Sequence, residues 1–122
     1  MYVLLVYRIK MSIQRSPFLI FNKFRDNPVI EPGPIGSHDS LGLKDPCLVR
    51  ANNTYYCYYS AFNGEYWGIG LATSLDLHSW KREGLVLTPG VGWECPDVYS
   101  PNVIRVGSDY YMYYTASDTI AK

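Results

Sequence analysis

Short runs of apolar and aromatic residues, broken at regular intervals by turn residues, run through the chain from about residue 43 onward. Cys47 to Ala51 and Thr54 to Ala61 flank Asn52-Asn53, a two-residue turn signal, and predict a hairpin. Trp67 to Thr73 follows a second turn signal, Asn63-Gly64, and predicts a third strand. A weaker fourth strand is predicted over Leu85 to Leu87, after the polar stretch from Ser74 to Trp80. Tyr55, Tyr56, Tyr58 and Tyr59 alternate faces along the second strand, so core packing is their first expected role.

The pattern then starts again. Asp45-Pro-Cys-Leu-Val-Arg-Ala-Asn-Asn-Thr-Tyr-Tyr-Cys-Tyr-Tyr-Ser-Ala61 aligns with Ser100-Pro-Asn-Val-Ile-Arg-Val-Gly-Ser-Asp-Tyr-Tyr-Met-Tyr-Tyr-Thr-Ala116 at an offset of 55. Pro46 meets Pro101, Arg50 meets Arg105, and four tyrosines meet four tyrosines. Upstream, Pro32-Gly33 meets Pro89-Gly90 at an offset of 57, two residues having been lost from the loop between. An internal repeat of about this length, with about four short strands per unit, is the signature of a propeller blade. The second unit has two predicted strands, Asn102 to Val106 and Asp109 to Ala116. The expected fold class is all-β, with about two blades of four-stranded antiparallel sheet. Residues 1–26 form a lead-in and 27–122 a partial propeller. The blade-like repeats cover about 33–88 and 89–122, the second of them incomplete.

Composition narrows the classes. Hydrophobic residues make up 48% and charged residues 18%, which places the chain among globular proteins and not disordered ones. Eleven basic and 11 acidic side chains cancel, and no basic stripe marks a nucleic-acid partner. Twelve tyrosines with 10 glycines and 8 prolines favour strands and tight turns. Cys47, Cys57 and Cys95 are odd in number and widely spaced, arguing against a disulfide framework or a zinc site. The apolar run at Met1 to Tyr7 is shorter than a signal-peptide core and far shorter than a membrane span. Both a cytoplasmic and a secreted location remain open, and no membrane partner is expected. Asn52-Asn53-Thr54 fits a glycosylation triplet but reads better as the hairpin turn.

Five further segments carry a resemblance: Asn27-Pro-Val-Ile-Glu-Pro-Gly33, Lys44-Asp-Pro46, Gly68-Ile-Gly-Leu-Ala-Thr-Ser74, Asp76-Leu-His-Ser-Trp80 and Trp93-Glu-Cys-Pro-Asp97. Together they resemble the five-bladed β-propeller glycosidases, the superfamily of glycoside hydrolase families 32, 43, 62, 68, 117 and 130. The likeness covers about residues 27–116, and the stretch from Ala72 to Trp80 marks the fold and not the reaction. It implies a fragment of a five-bladed propeller that hydrolyses O-glycosidic bonds in oligo- or polysaccharides. No cofactor is expected, and although some family 43 members hold a cation at the hub, no metal-ligand cluster shows in this sequence. Two templates fit the same residues. In family 32 a transition-state-stabilising Asp sits in Arg-Asp-Pro and an acid/base Glu in Trp-Glu-Cys-Pro-Asp, which implies roles for Asp45 and Glu94. In family 43 Asp-Pro carries the general base, and an Asp one motif later tunes the acid's pKa, which implies Asp45 and Asp97. A family 32 nucleophile and a family 43 acid both lack a match here, so the isolated chain is expected to be inactive. A family 130-like phosphorylase and a non-catalytic carbohydrate-binding propeller are the alternatives.

The chemistry supports the placement. Asp45 leads into the first strand of its unit, and Glu94 and Asp97 lead into the next. Carboxylates from adjacent units would thus face each other at the channel mouth, as glycosidic cleavage requires. Asp45 and Glu94 are expected within about 5–10 Å of each other. Trp93 offers a flat apolar face for a sugar, and His38 and Asp39 align with Trp93 and Glu94, making all three candidate substrate contacts. The plainer readings are that Asp45 opens a turn, that Glu94 and Asp97 are loop charges, and that His38 and Asp39 are only the repeat equivalents. His78 is expected at the surface. Open strand edges suggest self-association.

Overall fold

The computed structural model describes residues 7–10 and 20–117, with side chains from Asn22 onward. All regular elements except one short 3₁₀ turn are strands. Strands β1 (Tyr7–Lys10) and β2 (Ile20–Lys23) pair antiparallel within the lead-in, where no element was predicted. A four-stranded meander follows: β3 (Gly42–Ala51), β4 (Thr54–Phe62), β5 (Trp67–Ser74) and β6 (Lys81–Leu87), each antiparallel to the last. After a 3₁₀ turn at Gly92–Glu94, β7 (Asp97–Val106) and β8 (Asp109–Ser117) form a further antiparallel pair.

The predicted strands are present, but β3, β6 and β7 each start four or five residues earlier than the pattern showed. β3 starts at Gly42 because a bulge between Lys44 and Cys47 absorbs the Asp-Pro pair, with Asp45 at φ 52°. Proline has no N–H to give the ladder, so Asp45-Pro46 imitates a strand boundary while the pairing continues beyond it. β6 starts at Lys81, where exposed Lys81, Arg82 and Glu83 hide an edge strand that bends at Gly84, φ 105°. Asn52 at φ 54° turns the β3–β4 hairpin. The Asn63 carboxamide oxygen accepts the N–H groups of Glu65 and Tyr66 in the next turn.

The internal repeat is a structural one. β7 and β8 begin and end 55 residues after β3 and β4. The bulge recurs between Tyr99 and Asn102, and Ser100 has φ 53° where Asp45 has 52°.

Both faces of the meander are used. On one, Leu43, Cys57, Tyr59, Ala61 and Ala72 pack with Ile30, flanked by Val29, Trp80 and Leu85. On the other, β7 lies across β3, β4 and β5, in a seam where Ser60, Ile69 and Val98 are buried. Hydrogen bonds stitch it: Val103 N–H to Cys47 Sγ (3.1 Å), Ser100 N–H to Ser60 Oγ (2.8 Å) and Trp67 N–H to Asp97 Oδ1 (2.8 Å). All three cysteines are free, and burial, helped by Cys47, pushes the Cys57 thiol up to about 12. The Tyr59 ring lies on Gly70, where an added Cβ would come within 2.7 Å of Cζ. Gly70→Ala is therefore expected to cost about 1–3 kcal/mol, since the ring is enclosed and cannot retreat. An unchanged urea midpoint would contradict that packing.

The stretch from Ser74 to Trp80 is a turn built by its own side chains. Ser74 Oγ accepts the N–H groups of Asp76 and Leu77, and Asp76 Oδ1 accepts those of His78 and Ser79. The Trp80 indole N–H closes the turn on the Leu77 carbonyl, with Leu77 at φ 66°. These backbone bonds, Ser79's first, hold the Asp76 carboxyl down to about 2. Exposed His78 rests its ring on Phe24, 4.5 Å between centroids.

Candidate active site

The bulge in β3 turns the Asp45 carboxylate out of the ladder and leaves it exposed. Its Oδ2 accepts two hydroxyls, Ser60 Oγ from β4 (3.1 Å) and Ser100 Oγ from β7 (2.9 Å). One oxygen is thus pinned across the seam. The preceding Lys44 ammonium sits over the Trp67 ring at 4.3 Å and the Tyr99 ring at 4.9 Å, a cation held by two aromatic faces. Trp67 in turn stacks on Phe62 at 4.9 Å.

Asp97, the first residue of β7, is only 2% exposed. Oδ1 accepts the Trp67 N–H, while Oδ2 is buried with no hydrogen-bond partner. A buried carboxylate oxygen left unpaired is costly, and in a native fold such a group calls for a reason.

Glu94 has different surroundings. It accepts a short hydrogen bond from the Tyr114 hydroxyl, which raises the tyrosine's pKa. Trp93, 68% exposed, lies nearly parallel to the Tyr114 ring with centroids 6.3 Å apart. One unit earlier, the Tyr59 hydroxyl donates to Asp39 Oδ2 (3.0 Å), and the His38 ring lies 6.4 Å from Tyr59. Glu94 with Tyr114 therefore reproduces Asp39 with Tyr59 at the 55-residue offset. No hydrogen bond joins Asp45 to Glu94 among the described residues.

Asp39 has no exposed surface to offer a ligand. Its carboxylate takes Arg82 Nε (2.9 Å), Tyr59 Oη and Ser37 Oγ (2.9 Å), and Arg82 also reaches the Glu31 carbonyl. Burial pushes its pKa up, but Arg82, Ser37, the His38 charge and Tyr59 outweigh that, and the carboxyl lies below its ordinary value. This cluster clasps the edge strand β6 to the loop before β3. His38 Nε2 lies 3.2 Å from the Tyr59 hydroxyl at the border of the cluster.

The repeat itself sorts these residues. Asp45 stands opposite Ser100, and Asp97 opposite Gly42, so these carboxylates occur once each. Asp109, opposite Thr54, also occurs once, but it is exposed at the hairpin turn, whereas Asp45 and Asp97 lie at or beside the seam. Lys44, Ser60, Trp67, Tyr99 and Ser100 join them in the structure, and only the Lys44-Asp45-Pro46 motif pointed to any of these five. No group of three or more metal-ligating side chains occurs among the described residues. Nor is any described helix long and apolar enough to cross a membrane.

The sequence profile described as glycosyl hydrolases family 43 matches residues 34–122. The chain belongs to glycosyl hydrolases family 43. This family 43 chain is also 41% identical over 49 residues to the 1,2-beta-oligomannan phosphorylase of Thermoanaerobacter sp. (strain X514). That match spans 38% of this chain and 17% of the phosphorylase. A solved structure, Zg3597, is a family 117 glycoside hydrolase produced by the marine bacterium Zobellia galactanivorans. It superposes with a TM-score of 0.61 at 17% identity, over 95% of this chain and 36% of its own length, a likeness of fold alone.

Proposed function

We propose that this family 43 chain contributes to a glycoside-hydrolase site on a five-bladed propeller, with Asp45 as general base and Asp97 as the carboxylate that tunes the acid. The four-stranded sheet over 42–87 and the strand pair over 97–117 serve as one blade and the start of the next. The observation that carries the reading is the pairing of an exposed carboxylate on the β3 bulge with a buried carboxylate, one oxygen unpartnered, at the start of the equivalent strand β7. Ser60 and Ser100 hold one Asp45 oxygen, so that the other is aimed outward to take a proton from water as the water oxygen attacks the anomeric carbon. The glycosidic oxygen leaves with a proton from a carboxylic acid, whose pKa a nearby Asp97 carboxylate raises. Lys44 offers an ammonium for sugar hydroxyls, and the Trp67 and Tyr99 rings fix its position. Glu94, engaged with Tyr114 as Asp39 is with Tyr59, is read as part of the blade, and exposed Trp93 as a sugar-stacking face.

This reading assigns a base and a tuner but no acid within the 122 residues. The purified chain is therefore expected to bind oligosaccharides of the arabinan, xylan, fructan or mannan type without turning over chromogenic glycosides. Saturation-transfer NMR should show binding that Asp45→Ala weakens about tenfold or more, while the thermal melt stays in place. Binding indifferent to Asp45→Ala and to Asp97→Asn would favour a purely carbohydrate-binding role. Turnover abolished by Glu94→Gln would overturn the assignment of base and tuner. The match to an oligomannan phosphorylase favours a second reading, in which phosphate replaces water. Sugar phosphate formed only when inorganic phosphate is added would establish it.

A further inference from the structure

The β4–β5 turn and the link from β6 to β7 border a cleft that the candidate active site does not use. Its volume is about 440 Å³. Glu65 and Tyr66 line it from the turn, and Thr88, Pro89, Cys95 and Pro96 line it from the link. All six lie between β4 and β7, so the walls belong to the first unit and its connection to the second.

Both walls are held in place. Within the turn, Asn63 Oδ1 accepts the N–H groups of Glu65 (2.9 Å) and Tyr66 (3.1 Å), which sets these residues before any ligand arrives. Trp67 follows Tyr66, and Asp97 follows Pro96. The Trp67 N–H donates to Asp97 Oδ1 at 2.8 Å, so one hydrogen bond ties the turn to the link. That bond belongs to the buried carboxylate of the candidate site, and the Trp67 ring is one of the two that hold Lys44. The cleft and the site therefore share a boundary.

The lining suits a sugar. Half-buried Tyr66, Pro89 and Pro96 give apolar surface for the C–H face of a pyranose or furanose. Exposed Glu65 and Thr88 offer a carboxylate and a hydroxyl to its hydroxyl groups. A few polar groups set among apolar walls are the usual composition of a ligand site. No basic side chain lines the cleft, and a uronate or sulfate there would meet the like charge of Glu65.

We propose that this cleft is a further glycan subsite, which takes a neutral sugar unit of the chain whose scissile bond lies at Asp45. This role rests on the glycoside-hydrolase reading of the site. It adds a preference for chains long enough to reach from Asp45 to Tyr66.

Cys95 supplies a reporter, because it is exposed in the cleft, whereas Cys47 is half-buried and Cys57 buried. Iodoacetamide labelling of the purified protein can be mapped to each cysteine by peptide mass spectrometry. Saturating xylan-, arabinan-, fructan- or mannan-derived oligosaccharide should slow labelling at Cys95 severalfold, and the matching disaccharide much less. Wild-type affinity should rise with chain length beyond the disaccharide. Tyr66→Ala should remove that rise, lowering affinity for the longer chains about three- to tenfold and leaving disaccharide binding unchanged. Asp45→Ala should weaken both. A rise with length that persists in Tyr66→Ala, or Cys95 labelling indifferent to every oligosaccharide, would overturn the subsite. A uronate-ended chain that gains as much as the neutral one would overturn its assignment to a neutral sugar. Binding that ignores Asp45→Ala, yet depends on Tyr66 and protects Cys95, would remove the catalytic reading and keep the cleft as a sugar site. If Tyr66→Ala loses its circular dichroism, labelling of the wild type decides alone.

Discussion

Arg82→Met is expected to destabilise the chain by about 3 kcal/mol, because it strands the Asp39 carboxylate in the interior. Asp39 is fully buried, and Arg82 is its cationic partner at 2.9 Å, reaching across 43 residues of sequence. Removing one member of a buried pair leaves the other uncompensated, whereas removing both leaves no buried charge. Asp39→Asn combined with Arg82→Met should therefore cost less than the sum of the two single changes. The pH dependence follows from the depressed Asp39 pKa. A carboxyl held below its unfolded value, about 3.9 for aspartate, adds stability above that value and loses it as pH falls through the folded one. Urea unfolding at fixed protein concentration, from neutral pH down into the carboxylate range, should show this acid-side loss in the wild type. Arg82→Met should flatten or reverse it. Identical acid limbs in the two proteins would show that the clasp does not carry the charge coupling.

Tyr59→Ala is expected to cost more, about 3–5 kcal/mol, as for other large aromatic truncations in a core. The Tyr59 side chain is 1% exposed, its ring is seated on Gly70, and its hydroxyl donates to Asp39. Truncation opens a cavity and removes one of the bonds that settle the buried carboxylate. Burial and the Asp39 charge push the Tyr59 pKa well up, so the hydroxyl remains a donor throughout the working range. Tyr59→Phe keeps the ring and should cost only about 1–3 kcal/mol, the part due to the hydrogen bond. Tyr114→Ala tests the equivalent position. It removes the same kind of contact, to Glu94, from a less enclosed site, and its loss should be distinctly smaller. Equal losses at Tyr59 and Tyr114 would show that burial does not separate the two units.

The two units also show how far the site could be read in advance. Asp45 and Asp97 were legible as candidates because Asp-Pro and Trp-Glu-Cys-Pro-Asp are contiguous motifs. Glu94, Trp93, His38 and Asp39 came with them for the same reason, since motif and alignment do not say which side chains are covered. Asp39 is sealed by Arg82, a residue that lay in an unassigned polar stretch because edge strands carry charge. Lys44 entered the reading only as the first residue of the Lys44-Asp45-Pro46 motif. The rings that hold it, Trp67 and Tyr99, lie on β5 and β7, beyond the reach of any local pattern.

The existence and order of the six strands over 42–117 and the 55-residue repeat were determined by the sequence alone, though not where β3, β6 and β7 start, because alternation within a strand and the dipeptides that end it act over a few residues. The resemblance to the wider propeller-glycosidase superfamily rested on the same local stretches, among them the Ser74 to Trp80 turn, whose hydrogen bonds lie within seven consecutive residues. Tertiary structure decided what each acidic group became: Asp45 exposed on a bulge, Asp97 buried with one oxygen unpaired, Asp39 clasped by an arginine, and Glu94 tied to a tyrosine. Burial and partner identity set the behaviour of a carboxylate. Both depend on which strands the fold lays against one another, and, apart from Ser37 beside Asp39, side chains 15 to 55 residues apart in sequence supply the partners here.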